Sequence, residues 1–478
     1  MLLAAAVALA IVTQDAVPLR AAPRRSAQQH ATLWQGDTLE VRGERLDYLQ
    51  VYDHRRERAG YVHASAAHVV TLEADDAPEL LAVVRFVRDT PGSESLGIAY
   101  AAAYLKAAPA EDIGAEVFAA LGNMADRLAS RASRGQGSKQ GGDAKLAAHL
   151  DIAASYGLAF KSFEREGRIQ LCYEGDALRR VLALPARAQQ LAQAALGLTR
   201  HECVDPYLAP LEKNALNAWR AEVLDRVDVR ELPLLLKNRI RMRRAGVWAA
   251  LAFAATRTGE LSAEAGARAL QELQGVVGAE LTEGDQDAYA EAAVRVGASR
   301  WASEPDDVPT AKLSAGLMVA TQSGAPGETC VLLLDDQHDA RTPLLRRCTY
   351  ATVWAASAST NKAGTALALA VQPLEGWREV WVFRKAKEGW TVNVLPPAAS
   401  GPDLGYAEFA GWVPNKPQLL VAREARVDGR WQRSFEVVRL DTLSVVRRAD
   451  DPSHLSAFYR WQSPLWKELT VSLRGAAP

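Results

Sequence analysis

The segment Ser359-Thr360-Asn361-Lys362 has the spacing S-x-x-K, in which a lysine amine can help to deprotonate a serine nucleophile. Enzymes that use this pair place it at the start of a helix and carry S-D-N and K-T-G motifs farther along the chain. Here the tetrapeptide falls in a predicted hairpin turn, and both accompanying motifs are missing. We therefore interpret it as a chance match and predict no catalytic residue from it.

Two other groups of residues have donor atoms that suit a metal ion. Asp335-Asp336-Gln337-His338-Asp339 could hold a cation, but it lacks the D-x-D-x-D-G spacing and the distal glutamate of a calcium loop. His201 lies two residues before Cys203, but no C-x-x-C or H-x-x-x-H spacing accompanies this pair. The sequence predicts a solvated turn at the first group and no metal site at either.

The four cysteines are better explained as two disulfides. Four cysteines allow three connectivities, and the one that is local in sequence pairs Cys172 with Cys203 and Cys330 with Cys348. In an oxidising compartment, each bridge would stabilise the fold by about 3–4 kcal/mol through the entropy of the loop that it closes.

A dense run of basic residues comes near the middle of the chain, at Lys237, Arg239, Arg241, Arg243 and Arg244. On a helix these side chains spread around most of the circumference. The pattern indicates an exposed helix whose charge is balanced by the acidic residues Glu222, Asp225, Asp228 and Glu231. The alternative is a surface for an anionic partner, such as lipid headgroups or a wall polymer.

Composition and motifs argue against several classes of function. The 478 residues carry 56 basic and 57 acidic side chains, so no net field would steer the chain to nucleic acid or to an anionic membrane. No G-x-S-x-G, Walker loop or H-E-x-x-H occurs, and Gly135-Gln136-Gly137 lacks the preceding strand of a nucleotide-binding loop. The hydrophobic fraction of 49% and the charged fraction of 24% are globular values, and the length predicts about three domains.

The N-terminus has the pattern of an export signal. Leu2–Val12 is an unbroken apolar run that is too short to span a bilayer, and Ala8-Leu9-Ala10 offers a cleavage site. No Lys or Arg precedes the run, so a buried N-terminal strand or helix is the alternative, as is a start farther upstream. We expect residues 1–12 to be a signal peptide and the mature chain to be periplasmic or secreted, with no integral membrane segment.

Residues 13–72 have the alternating pattern of a small β domain, in which Leu49 and Val51 face inward while Tyr48 and Tyr52 face outward. Four elements in this region resemble the bacterial Src-homology-3 type of domain. They are Leu19-Arg20-Ala21-Ala22-Pro23, Leu33-Trp34-Gln35-Gly36-Asp37-Thr38-Leu39-Glu40-Val41, Tyr48-Leu49-Gln50-Val51 and Ala59-Gly60-Tyr61-Val62. The resemblance covers about a ninth of the chain and implies a small barrel, although the last element has Tyr61 where that family more often has tryptophan.

The predicted binding site lies on this barrel. Trp34, Tyr48 and Tyr61 are flat, amphipathic side chains that could line a groove for a sugar or a peptide. Arg20 and Arg58 could then pair with a carboxylate of the ligand. The alternative is that the rings only cover the small core of the barrel.

Residues 73–302 are rich in Ala, Leu, Glu and Arg, and their apolar residues recur at helical spacing. Helices are predicted at 77–89, 95–107, 112–131, 143–155, 175–197, 207–226, 231–257, 262–279 and 285–300. The Cys172–Cys203 bridge would clamp the two ends of the helix at 175–197. Residues 133–142 predict a mobile loop. We expect an array of helical hairpins with a concave surface.

A linker at 303–310 leads to a β-rich region at 311–478, with strands predicted at 313–320, 330–334, 349–355, 366–371, 380–384, 391–395, 419–423 and 435–440. Tyr406–Asn415, followed by Leu419–Ala422, resembles the entry to a blade of the TolB-like β-propellers, where Trp-Ser-Pro-Asp-Gly precedes an apolar strand. Val413 and Asn415 replace the Ser and the Asp, and the Gly is absent. Only about two such units fit, so a propeller-like array, a single meander and a partial sandwich are all open.

The sequence thus predicts a multi-domain chain with an all-β, an all-α and a second all-β domain. We expect a non-catalytic envelope protein without a cofactor, which binds peptidoglycan or a protein partner through its N-terminal barrel and its C-terminal β domain. The alternative is a periplasmic cell-wall hydrolase that uses the barrel as a targeting module. Such an enzyme would need converging carboxylates, a Ser–His pair or a Cys–His pair.

Overall fold

A computed structural model describes residues 8–135, 142–165, 167–304, 310–313, 316–399, 401 and 403–469. An antiparallel β region comes first, helices occupy the middle of the chain, and a β-rich region follows, which confirms the predicted order of classes. The strands are β1 (Leu9–Val12), β2 (Val17–Arg20), β3 (Gln29–Leu33), β4 (Thr38–Arg45), β5 (Tyr48–Asp53), β6 (Arg58–His63), β7 (Ala67–Val70), β8 (Phe160–Arg165), β9 (Arg168–Tyr173), β10 (Thr310–Lys312), β11 (Met318–Ser323), β12 (Thr329–Leu334), β13 (Leu345–Thr349), β14 (Thr352–Thr360), β15 (Ala366–Leu374), β16 (Trp377–Ala386), β17 (Gly389–Leu395), β18 (Gly405–Trp412), β19 (Gln418–Val427), β20 (Arg430–Arg439) and β21 (Val445–Ala449). The helices are α1 (Ala77–Val87), α2 (Glu94–Ala107), α3 (Ala115–Gly135), α4 (Gly142–Ser155), α5 (Asp176–Ala183), α6 (Ala188–Leu198), α7 (Pro210–Asp225), α8 (Leu234–Thr258), α9 (Ala263–Gln274), α10 (Glu283–Ser299), α11 (Ser456–Trp461) and α12 (Pro464–Leu469).

The chain divides into two compact units. The first comprises Met1–Ala209 and Val223–Leu232, and the second comprises Pro210–Glu222 and Pro233–Pro478. The helical region therefore contributes to both units. The predicted domain boundaries near residues 72 and 302 each fall inside one unit and stay predictions, and the predicted linker at 303–310 lies largely outside the described residues.

In the first unit, β1–β7 form an antiparallel sheet in the order β3-β2-β6-β5-β4-β1-β7, whose edges are β3 and β7. Alternate residues of each strand point to one side of the sheet, because the side chains of a strand alternate between its two faces. One face packs into a core that includes Ala10, Val12, Val17, Leu19, Leu33, Leu39, Leu49, Val51, Val62 and Ala66. The inward direction predicted for Leu49 and Val51 is confirmed.

Strand β1 lies inside this sheet, where it pairs with β4 on one side and β7 on the other. Ala10, Ile11 and Val12 are at most 1% exposed. The predicted signal peptide at 1–12 overlaps this strand by four residues and otherwise lies largely outside the described residues, so it stays a prediction.

The helices of the first unit follow the predicted pattern closely, with one break. The predicted single helix at 175–197 is two helices, α5 and α6, because Pro185 lies between them and cannot continue the backbone hydrogen-bond ladder. A hairpin, β8–β9, precedes them and was not predicted. The predicted mobile loop at 133–142 lies mainly outside the described residues, although residues 133–135 belong to α3.

In the second unit, α8, α9 and α10 share a core of small and medium apolar side chains, which includes Ala245, Ala249, Ala269, Leu273, Ala292 and Val296. Among the described residues, no helix has the length and apolar character needed to cross a membrane.

The strands of the second unit form three four-stranded antiparallel meanders in chain order: β10–β13, β14–β17 and β18–β21. The second and third meanders are joined by a short parallel pairing between the first residues of β16, which precede its pairing with β17, and β18. In this pairing Trp377 lies opposite Gly405 and Arg378 lies opposite Tyr406. The sequence predicts eight strands here, or about two such units, and does not predict β10, β13, β18 and β21. Of these, β10, β13 and β21 are too short or too polar to show a clear strand pattern.

The three meanders pack face to face in series. Leu367 and Leu369 of β15 face the first meander, whereas their neighbours Ala366 and Ala368 face the third. On β19, Leu419 and Val421 continue the core between the second and third meanders. The opposite face of β19 packs on α11 and α12 through a cluster that includes Leu420, Ala422, Phe435, Phe458 and Trp466. Because successive side chains of a strand point to opposite faces of the sheet, each of these strands contributes to an apolar core on both of its sides.

Candidate functional site

The outer face of the N-terminal sheet gathers aromatic and polar side chains. On β5, Gln50 and Tyr52 alternate with the inward-facing core residues, and on β6 the outward residues are Tyr61 and His63. Gln50 lies directly opposite Tyr61 in the ladder. Residues that are opposite each other in an antiparallel pair share a face of the sheet. We call Gln50, Tyr52, Tyr61 and His63 the outer aromatic face.

Neighbouring charged side chains hold the ring of Tyr52 in place. The guanidinium carbon of Arg42 lies 4.2 Å from the centre of the ring, and the ring of His54 meets it edge-on with the two centroids 4.9 Å apart. Glu40 binds both neighbours, with distances of 3.1 Å to Arg42 Nε and 2.6 Å to His54 Nε2. Hydrogen bonds from Arg42 and then from His54 lower the pKa of the Glu40 carboxyl below its usual value. The ring is therefore pre-ordered by a cation–π contact and an edge contact.

Tyr48 was predicted to line the groove, but it is only 8% exposed. Its ring packs edge-on against His63, with the two centroids 5.2 Å apart. Tyr48 therefore offers little ring surface to a ligand, and packing describes its role better. Tyr52, which the sequence placed on the same side but not in the site, is the partly exposed ring on β5.

Arg20 pairs with Tyr61 across β2 and β6, so the structure brings these two predicted residues together. The guanidinium of Arg20 donates a 2.9 Å hydrogen bond to the carbonyl of Ala27. Arg58 likewise donates to the carbonyl of His30, at 3.3 Å. Both arginines thus bind the protein's own backbone.

Trp34 lies away from this group. On β3, Gln29 is opposite Arg20, whereas Leu33 is opposite Val17 at the other end of β2. Trp34 follows Leu33, so it lies beyond the end of β3 that is distant from Arg20. Four residues of strand separate the two ends, which is roughly 13 Å at the usual rise per residue. The predicted groove with all three aromatic residues side by side does not form.

Comparisons with known protein families, with curated proteins and with solved structures find no match to this chain. Inferences about function therefore depend on the positions and contacts of this chain's own residues.

The S-x-x-K segment spans the end of β14 and the turn before β15, in agreement with the predicted hairpin. Ser359 belongs to β14, and Lys362 is exposed in the turn before β15. The Ser359 oxygen accepts a 3.2 Å hydrogen bond from Trp412 Nε1. The motif thus lies in a hairpin and not at the start of a helix, where enzymes that use it have it.

The acidic segment after β12 forms a turn closed by its own side chains. Asp335 Oδ1 lies 2.7 Å from His338 Nδ1, and the backbone N–H of Gln337 donates to the same oxygen at 2.9 Å. The hydrogen bond to His338 lowers the pKa of Asp335 below its usual value. These contacts agree with the interpretation as a solvated turn.

The basic residues of α8 contact the two helices that pack on it. Arg239 binds Asp285 at 2.7 Å, and Arg244 lies 3.4 Å from Glu272. Arg241 donates to the carbonyl of Gly275. Arg239 and Arg244 are thus paired with acidic residues of α10 and α9, because tertiary packing brings these helices alongside α8.

Both predicted disulfides are present. Cys172 of β9 is joined to Cys203, with Cα atoms 5.8 Å apart, and Cys330 is joined to Cys348 at the position directly opposite on β13. The first bridge therefore connects the hairpin to the turn after α6 and not the two ends of one helix. Glu328 lies beside the second bridge, within 4.8 Å of its sulfur atoms, but a metal ion would need thiolates that the disulfide does not supply.

Two histidine contacts were not visible in the sequence. His63 Nδ1 lies 2.8 Å from Ser65 Oγ, and the backbone N–H of Ser65 also donates to Nδ1. This local arrangement caps the short turn Ala64–Ala66. The second contact joins His149 to Asp15 across 134 positions, a separation for which no sequence pattern exists.

Proposed function

We propose that this protein is a non-catalytic binding protein of the cell envelope, periplasmic or secreted, and that it holds peptidoglycan on the outer aromatic face of its N-terminal sheet. The observation that carries the proposal is the arrangement of Gln50 between two rings: it lies directly opposite Tyr61 and two residues from Tyr52 on the same strand. Ring faces stack on the apolar faces of sugars, and an amide both donates to and accepts from sugar hydroxyls.

A resemblance to the bacterial Src-homology-3 type of domain supports the same role. The segments that carry it fall on β2, on the end of β3 with β4, on β5 and on β6. We infer that the N-terminal β region is a module of this type to which β1 and β7 add two strands. A peptide partner is the other class of ligand that such a module accepts.

The C-terminal meanders would provide a second interaction platform. Four-stranded up-and-down units that pack face to face are the building plan of propeller blades, and three of them follow each other here. We infer a propeller-like platform for a protein partner. The two disulfides support a location outside the reducing cytosol, where such bonds persist.

The test is a pull-down of the full chain on purified, insoluble peptidoglycan. Tyr52→Ala combined with Tyr61→Ala is expected to weaken binding about tenfold or more, which corresponds to about 1.4 kcal/mol. Phe86→Ala is the matched control, because Phe86 is an aromatic residue of the same unit that is 83% exposed on α1. Thermal unfolding of each variant shows whether the sheet is intact.

Equal retention of the double variant and the control would refute the assignment of the face. Displacement by soluble disaccharide fragments supports a glycan ligand, whereas displacement only by stem-peptide fragments supports a peptide ligand. The hydrolase alternative predicts clearing of the same material in a zymogram, and loss of that clearing in a Ser65→Ala variant would then identify His63 and Ser65 as its Ser–His pair.

A further inference from the structure

Two arginines and one glutamate are buried together inside the second unit. Arg300 begins the short turn after α10, Arg378 is the second residue of β16, and Glu408 lies in β18. Their side chains are 5%, 0% and 5% exposed, respectively. Charged side chains are almost never buried to this degree unless they are paired.

The pairing within this cluster is unequal. Glu408 Oε1 lies 3.0 Å from Arg300 Nε and 3.5 Å from Arg378 Nη2. One carboxylate thus faces two guanidinium groups, which leaves one positive charge in excess. The guanidinium carbon of Arg300 lies 4.2 Å from the ring centre of Trp301, and that of Arg378 lies 5.4 Å from the ring centre of Tyr406. These rings attract a cation but do not cancel its charge.

Several donor atoms of the cluster are unsatisfied. All three nitrogens of the Arg378 guanidinium, Nε and Nη1 of Arg300, and Oε1 of Glu408 are buried, and none of them makes a well-aligned hydrogen bond among the described residues. Glu408 Oε1 is close to both guanidinium groups but is not aligned with their N–H bonds. Burial lowers the pKa of Arg378 to about 10, and the nearby Arg300 lowers it in the same direction. Arg378 is therefore still protonated at neutral pH. A buried cation with unmade hydrogen bonds costs several kcal/mol, so these donors call for an acceptor with negative charge.

We propose that Arg378 and Arg300 form a buried site for a small monovalent inorganic anion of the halide class. The Arg378 side chain is 0% exposed and that of Arg300 only 5%, so an organic acid or the carboxylate of a peptide does not fit. The anion accepts hydrogen bonds from both guanidinium groups and neutralises the excess charge. Because Arg378 belongs to β16 and Arg300 to the turn after α10, the bound ion links that turn to the sheet within the second unit.

The test uses the full chain and bromide as the probe. Unfolding is followed at constant ionic strength while sodium gluconate is replaced by sodium bromide. The midpoint for the wild-type chain is expected to rise by about 2–6 °C and to saturate, since a ligand that binds only the folded state stabilises it in this way. Arg378→Met is expected to abolish the rise. Arg384→Met, on the same strand, is the matched control and should keep it.

Glu408→Gln is expected to strengthen bromide binding, whereas Arg378→Met is expected to abolish it. This variant removes the carboxylate that competes with the anion, so the bromide concentration for half of the midpoint shift is expected to fall about tenfold. It also keeps the proposal testable if Arg378→Met does not fold. In a crystal grown with bromide, an anomalous peak is expected next to the Arg378 guanidinium. Midpoints that do not respond to bromide in either the wild type or Glu408→Gln, or only ordered water beside Arg378, would overturn the proposal.

Discussion

His149 Nε2 lies 2.8 Å from Asp15 Oδ1, which ties α4 to the loop between β1 and β2. Lys145, one turn earlier on α4, binds the other oxygen of the same carboxylate. Gln35 donates a 3.0 Å hydrogen bond from its amide to Asp15 as well. Asp15 is thus one of the residues through which the N-terminal sheet contacts the helices of the first unit.

This contact predicts that the first unit loses stability as the pH falls. Burial lowers the pKa of His149 below its usual value of 6.5, and the nearby Asp15 offsets only part of this effect. The unfolded chain therefore binds a proton at this position before the folded chain does, so the contribution of His149 is present above pH 6.5 and is lost as the pH falls below it. For Asp15, burial raises the pKa but hydrogen bonds from Lys145 and His149 lower it more, so its contribution is lost only below its usual value of 3.8.

The measurement is the free energy of unfolding by urea between pH 7 and pH 5. His149→Gln is expected to flatten the slope by up to about 1.4 kcal/mol per pH unit, the limit for one proton. His54→Gln, which changes an exposed histidine of the same unit, is the control. A slope for His149→Gln that equals the slope of the wild type would show that His149 is not the linked group.

We expect alanine substitution to have different effects on stability at Gly36 and at Gly92, although the two glycines have similar backbone conformations. Both have a positive φ, +94° and +90°, which costs any other residue about 1–2 kcal/mol. A Cβ at Gly36 would lie 2.6 Å from the carbonyl oxygen of Ser95, whereas a Cβ at Gly92 meets nothing within 4 Å. Gly36→Ala is therefore expected to lower the free energy of unfolding by about 1–3 kcal/mol more than Gly92→Ala. Equal losses in urea unfolding would mean that the sheet and α2 are not in close contact there.

Local patterns were enough to predict most elements of the fold. The dipeptide Asp-Gly favours a tight hairpin, and Asp428 and Gly429 form such a turn between β19 and β20, with positive φ values of 50° and 74°. The helices α8 and α10 follow from apolar residues at helical spacing. The pairing of Cys330 with Cys348 follows from their closeness in sequence.

The candidate site was predicted only in part, for physical reasons. Alternation places Tyr48 and Tyr52 on the same side of β5, but it does not tell which ring a neighbour such as His63 will cover. The separation of Trp34 from Tyr61 depends on the register of β2 with β3, which the sequence does not contain. The cluster of Arg300, Arg378 and Glu408 has no sequence signal, because its members come from distant elements.

The disulfides predict two separable losses of stability. The Cys172–Cys203 bridge spans 31 positions and the Cys330–Cys348 bridge spans 18. Loop entropy assigns them about 4 and 3 kcal/mol. Replacing both members of one pair by serine is expected to lower the urea midpoint of the unit that holds that pair, and dithiothreitol should have no further effect on that unit. Free thiols in the native wild-type chain, detected by alkylation under denaturing conditions, would contradict this pairing.

Substitution of the buried amide of Gln372 is expected to cause a large loss in the free energy of unfolding. Its side-chain nitrogen donates to Ser299 Oγ at 3.1 Å and to the carbonyl of Glu375 at 2.8 Å, while its oxygen accepts from Trp354 Nε1 at 3.2 Å. The residue is 0% exposed, so the partners left by Gln372→Leu cannot turn to water. The unmade hydrogen bonds of Trp354 and the Glu375 carbonyl are expected to cost about 2–4 kcal/mol in the unfolding of the second unit. Gln432→Leu changes an exposed glutamine of β20 in the same unit and should cost less than about 0.5 kcal/mol. If both variants lose the same small amount in urea unfolding, the amide does not hold the C-terminal end of α10 to β15.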